Sequence, residues 1–147
     1  MGNSIQLVNA RTGATIAETV EVADTRATRN RGLLGRDRLE PGSALVISPC
    51  LAVHTAFMRF AIDVVFVDRD GRVVRIVRDL TPWRMAAAWR AQRVIELPAG
   101  ELHAHDVRVG DRLYLAMADA DGRSSASSSL VEVSFRSTAS KPACSGS

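Results

Sequence analysis

Three features of this 147-residue chain predict a mainly β fold. The expected form is a compact β-sandwich or flattened barrel of roughly seven to nine strands, with one short α-helix in the N-terminal third. Short β-branched and apolar runs recur between clusters of Gly, Pro, Asp and Asn. Asp68-Arg69-Asp70-Gly71 lies between two of these runs and is the strongest short-range hairpin signal in the chain. Residues 25–35 alone carry a capping residue, an arginine-rich middle and a terminal glycine in helical order.

Taken in order, residues 4–8 and 14–22 read as two strands joined by the turn-rich Asn9-Ala10-Arg11-Thr12-Gly13. Asp24 or Thr25 can cap a helix over 26–34, and Gly35 stands where such a helix commonly stops. Leu33 and Leu34 would face the core, while Arg26, Arg29, Arg31, Arg36 and Arg38 crowd the remaining surface. Pro41-Gly42 turns the chain into a short apolar strand over 44–47. Residues 53–68 form one bent strand or two strands broken near 59–61.

The runs 62–67 and 72–77 form the hairpin. A two-residue turn at Asp70-Gly71 sets Val67 opposite Val74, Val65 opposite Ile76 and Asp63 opposite Arg78. Thr81-Pro82 followed by alanines suits a helix over 82–90, whereas the tryptophans and β-rich surroundings suit an extended segment. Residues 93–97 read as a strand, Pro98-Ala99-Gly100 as its break, 101–106 as one helical turn and 112–117 as the last core strand.

The length suits a single domain over 1–117. From 118 to 147 the composition turns to Ser, Ala and Asp, and a mostly disordered extension is expected, in which 130–135 alternates like one added strand. No apolar run reaches the ~18 residues of a membrane span, and the N-terminus lacks the pattern of a secretory signal. A soluble, cytoplasmic chain with no membrane partner is therefore expected. Cys50 lies in an apolar run and Cys144 in a polar tail, which leaves Cys50 a reduced thiol. The net charge of +3 is almost wholly arginine, Lys141 being the sole lysine. The arginines of 26–38 have no interleaved aromatics or reading motif, so they mark a solvated surface and no nucleic-acid partner. No phosphate loop, nucleophile elbow or dinucleotide fingerprint occurs, which excludes the commonest nucleotide and acyl-transfer enzymes.

Chemistry concentrates in residues 49–68, where a thiol, an imidazole, a hydroxyl, a guanidinium and a carboxylate interrupt an apolar run. An unpartnered buried polar group costs about 1–3 kcal/mol, so Cys50, His54, Thr55, Arg59 and Asp63 all need partners. Glu96, inside Val94-Ile95-Glu96-Leu97, is in the same position.

Several fragments in fixed order carry a resemblance. They are Arg29-x-x-Gly32-Leu33-Leu34-x-Arg36, Pro49-Cys50, His54-Thr55-x-Phe57-Met58, residues 62–68 and 94–100, and then Gly110-Asp111. Together they resemble the prokaryotic family known as domain of unknown function 192, over roughly 4–117. The resemblance implies a compact, mainly β single domain, and it favours the extended form of 82–90. It implies no particular activity. The commoner family pattern has W-M-K-N-T where this chain has Val53-His54-Thr55-Ala56-Phe57-Met58-Arg59.

Two functional readings follow. The first is a binding domain for a small polar or anionic ligand, or a partner, with a pocket floored by residues 50–63. His54 and Thr55 would supply hydrogen bonds there, and Arg29 or Arg36 would engage an anionic or polyhydroxylated group. The second is a hydrolase using His54 with Cys50, or an Asp63–Glu96 carboxylate pair with one raised pKa. Asp63 has a structural alternative as an ion pair with Arg78 or Arg59. Trp83 and Trp89 either cap a core edge or stack on a sugar or base. His103-Ala104-His105 and Cys50 lack metal-site spacing, so neither a metal nor any other cofactor is expected.

Overall fold

The structure is a computed structural model, and it describes Ser4–Ala118. Apart from Ala118, the expected extension with its candidate strand lies outside the described residues. Ten strands and two short helices follow one another. They are β1 (Ser4–Asn9), β2 (Thr15–Ala17), β3 (Thr19–Ala23), α1 (Arg26–Arg31), β4 (Ser43–Ile47), β5 (Ala52–His54) and β6 (Ile62–Val67), then β7 (Val73–Leu80), β8 (Met85–Ala87), β9 (Arg93–Pro98), α2 (Glu101–Ala104) and β10 (Leu113–Ala118). The fold is mainly β, and its sheets stack without closing into a barrel.

The central sheet has the order β3-β4-β9-β6-β7. Its middle strands are apolar on both faces because both faces are covered, and β6 is buried along its whole length. One face packs on the three-stranded sheet β10-β1-β2, where Leu7, Ile16 and Leu113 meet Val46, Val65, Ile95 and Leu97. The other face packs on the two-stranded ribbon β5-β8 and the loops after α1, where Val53, Ala86, Leu33 and Leu39 meet Leu45, Ile47, Val64 and Phe66. The edge strand β7 keeps Arg75, Arg78 and Asp79 exposed, which blunts it against further strand pairing.

Two boundaries are modified and two open alternatives are decided. The run 14–22 is two strands in different sheets, because Glu18 and Thr19 both donate to the Gly42 carbonyl and turn the chain between layers. The helix stops at Arg31, since Gly32 takes φ 43° as its C-cap; Thr25 and Thr28 form the capping box at its start. Residues 53–68 are two strands separated by a loop, and the extended form of 82–90 is the one adopted, with β8 at its centre.

The hairpin turn centres on Arg69-Asp70, with Gly71 following at φ 81°: Gly71 donates to the Asp68 carbonyl, and Asp68 donates to Arg72. Val67 therefore meets Val73 and not Val74, a bulge restores Val65 opposite Ile76, and a second bulge precedes the Ile62–Leu80 pair. That second irregularity separates Asp63 from Arg78.

Candidate functional site

Asp63 is fully buried in β6, and its partners are backbone N–H groups. Its Oδ1 accepts from Asp79 at 2.9 Å, and its Oδ2 accepts from Gly100 and Leu102, each at 3.1 Å. One carboxylate thus ties the bulged end of β7 and the start of α2 to the central sheet. Neither expected ion pair forms: the bulge presents the Asp79 backbone in place of the Arg78 side chain, and Arg59 lies at 2.8 Å from Asp37.

The Asp63–Glu96 pair does not assemble. Asp63 stands opposite Leu97, and Val64 stands opposite Glu96. Directly opposed residues share a face and successive residues alternate, so the two carboxylates point to opposite faces of the sheet. Asp63 shares its face with Val65, Val67 and Leu97, and Glu96 shares the other with Val64 and Leu45.

Cys50 and His54 are also kept apart. The Cys50 sulfur is buried in the core beneath the ribbon, and it donates to the Ala52 carbonyl at 3.2 Å. Val53 and Ala86 are paired and point inward, which places the next pair, His54 and Met85, on the outer face. The Nδ1 atom of His54 is buried and takes no hydrogen bond among the described residues. The expected arginines are held elsewhere. Arg29 donates to the carbonyls of Asp24 at 2.7 Å and Ser48 at 3.4 Å, and Arg36 pairs with Glu21 at 2.6 Å.

Thr55 is fully buried and organises the loop beside the ribbon. Its hydroxyl donates to the Thr81 carbonyl at 2.6 Å and accepts from the Arg84 N–H at 2.9 Å. Its backbone N–H donates to the Arg84 carbonyl, and its own carbonyl accepts from Met58 and Trp83. Phe57 and Trp83, both tied to this hub, each hold φ 64°. A bulky residue in the left-handed region costs about 1–2 kcal/mol, so two of them need strong local support. Their rings meet edge to face with centroids 4.7 Å apart.

Four large apolar side chains on the ribbon and its flanking loops are exposed. Phe57 is 71% exposed, Trp83 64%, Met85 74% and Trp89 76%. The Arg90 guanidinium lies 4.8 Å from the Trp89 ring centre, and Arg75 donates to the Ala87 carbonyl. Sequence reasoning singled out the two tryptophans but missed Phe57 and Met85. The period-2 pattern of Val53-His54 against Met85-Ala86 was the available signal.

Asn9, Arg11, Arg108 and Asp111 form a second polar cluster. Buried Asn9 donates to Asp111 Oδ2 at 2.9 Å, Arg11 Nε donates to Asp111 Oδ1 at 2.7 Å, and the Arg108 N–H donates to Asp111 Oδ2 at 2.9 Å. Led by the Arg11 hydrogen bond, these donors hold the Asp111 carboxyl well below its ordinary value, at about 2. The cluster pins the turn after β1 to the segment before β10. Among the described residues no group of His, Cys, Asp and Glu is arranged to hold a metal, and no helix is long and apolar enough to cross a membrane.

With this geometry in hand, the chain can be set beside known proteins. A UPF0127 protein of Pyrococcus furiosus is 36% identical over 114 residues, covering 73% of this chain and 95% of the relative. One from Pyrococcus abyssi is 37% identical over 101 residues, covering 64% and 83%. A crystal structure from Sinorhizobium meliloti, described as that of a candidate transcription regulator, matches with TM-score 0.66 at 24% identity, covering 76% of this chain and 91% of that one. At that identity the likeness concerns the fold alone. The profile of the family described as "Uncharacterized ACR", domain of unknown function 192, matches residues 7–115, and the chain belongs to that family.

Proposed function

We propose that this chain is a binding domain, and that its recognition face is the outer side of the β5-β8 ribbon around His54. The observation that carries this reading is the Phe57–Trp83 pair. Two large rings stand in water on left-handed backbone, held there by the buried hydroxyl and carbonyl of Thr55. Strained, solvent-facing aromatics oppose the ordinary drive to bury apolar surface, and such strain collects at recognition sites. His54, half-buried and paired with Met85 in the ribbon, adds an imidazole beside that face. Arg84 and Arg90 add cations suited to an anionic group.

The separation of Cys50 from His54 and of Asp63 from Glu96 favours binding over hydrolysis. The role expected for Asp63 passes to the scaffold, and those of Arg29, Arg36 and Arg59 become surface and capping contacts. A thermal-shift screen of phosphorylated metabolites, sugars, dicarboxylates and short peptides tests the reading, with His54→Ala alongside. At least one compound is expected to raise the melting temperature of the parent and to lose most of that effect in H54A. Shifts that are indifferent to H54A, or ester hydrolysis abolished by Cys50→Ser, would count against it.

A further inference from the structure

We infer that the β5-β8 face docks an acidic polypeptide segment carrying apolar side chains; this rests on the binding reading above and names its partner. Three observations converge. The first is composition: Trp, Phe, Met and Arg are the residues enriched in the energetic centres of protein interfaces. This face presents Phe57, Trp83, Met85 and Trp89 among arginines.

The second is charge. Residues 51–61 and 81–92, which build the ribbon and its loops, contain Arg59, Arg84 and Arg90 and no Asp or Glu. Asp37, paired with Arg59, and Asp79 at the end of β7 are the nearby acids noted above. A cationic rim around apolar anchors is complementary to alternating acidic and apolar side chains. It also disfavours a second copy of this chain as the occupant, because a two-fold contact would set the arginines of one copy against those of the other.

The third is extent. The Phe57–Trp83 pair and Trp89 flank opposite ends of β8, whose three residues span about 10 Å. A small ligand is normally enclosed over most of its surface, whereas these anchors are spread along an open ribbon. The ring faces are partly engaged already, Trp89 by Arg90 and Trp83 by the Phe57 ring, which suits aliphatic contacts better than stacked bases. Arg75 on the Ala87 carbonyl occupies a β8 backbone acceptor, so recognition runs through side chains.

The test is fluorescence anisotropy with a labelled peptide of alternating Glu and Leu. A Lys–Leu analogue, an oligothymidylate and phosphatidylglycerol vesicles form parallel arms. The Glu–Leu peptide is expected to bind saturably and at least about tenfold more tightly than Lys–Leu, with affinity falling as salt rises. Trp83→Ser combined with Met85→Ser should weaken it at least about tenfold. Arg84→Glu should weaken it severalfold, and Arg72→Glu on the hairpin turn should leave it unchanged. Parallel melting curves establish that the variants fold.

Equal binding of Lys–Leu, or binding indifferent to the double variant, overturns the proposal. Tighter binding of oligothymidylate or vesicles that is lost in the double variant overturns the peptide assignment while keeping the face. Binding in no arm, with no hit in the small-molecule screen, removes both.

Discussion

Replacing Asp63 by Asn separates a scaffold carboxylate from a binding one. Asp63 accepts three backbone N–H groups with two oxygens, inside a site closed to solvent. Asparagine offers one acceptor oxygen. Its best orientation keeps Gly100 and Leu102 and turns the amide NH2 against the Asp79 N–H. One buried donor then goes unmet, at about 1–3 kcal/mol, and the two surviving bonds lose the strengthening of a charged acceptor. About 3 kcal/mol in all is expected. For a domain of this size that corresponds to a fall in melting temperature of about 10 °C. Urea unfolding should show a lower midpoint at unchanged slope, which marks lost stability in place of altered compactness. Any response to ligand should survive below the new transition. A melting temperature within about 2 °C of the parent would refute the reasoning, most plainly if ligand response vanished at the same time.

Other outcomes follow from the same geometry. Asp111 titrates at about 2 in the folded protein and near 4 when unfolded, so its contribution is present above pH ~4 and lost as pH falls toward 2. Because Arg11 is 39% exposed, screening trims this to about 1–2 kcal/mol, and Asp111→Asn should flatten the acid limb of a stability-against-pH curve. Thr55→Val removes the bonds to Thr81 and Arg84 and should cost about 2–3 kcal/mol in calorimetry, with Thr55→Ser recovering most of the loss. Gly71→Ala would set a Cβ 2.5 Å from the Leu113 carbonyl oxygen at φ 81°, and a loss of at least about 2 kcal/mol is expected in chemical denaturation.

Much of the fold was legible because its strands are short, β-branched and bounded by turn residues. Where the reading failed, a distant partner decided. The Gly42 carbonyl, by receiving Glu18 and Thr19, splits one apparent strand into two that serve different sheets. A one-residue difference in turn placement at Gly71, together with the bulge near Asp63, replaced an expected ion pair with backbone hydrogen bonds. The site was legible as a list of groups that had to be satisfied. Its assembly was not, because Asp63 finds two of its partners 37 and 39 residues away. Phe57 and Met85 look like core residues in the sequence; their exposure follows from the ribbon's pairing register and the left-handed turns that Thr55 supports.

The most direct measurement is a nuclear magnetic resonance titration of the nitrogen-15-labelled chain with the Glu–Leu peptide, following backbone amides and both indole N–H signals. Saturable shifts should concentrate at His54, Phe57, the Trp83 and Trp89 indoles, and Met85, leaving Asp63, Leu102 and Asp111 still. Shifts centred on the α1 arginines or on the Asn9–Arg11–Asp111 cluster, with the ribbon silent, would contradict the assignment of the β5-β8 face.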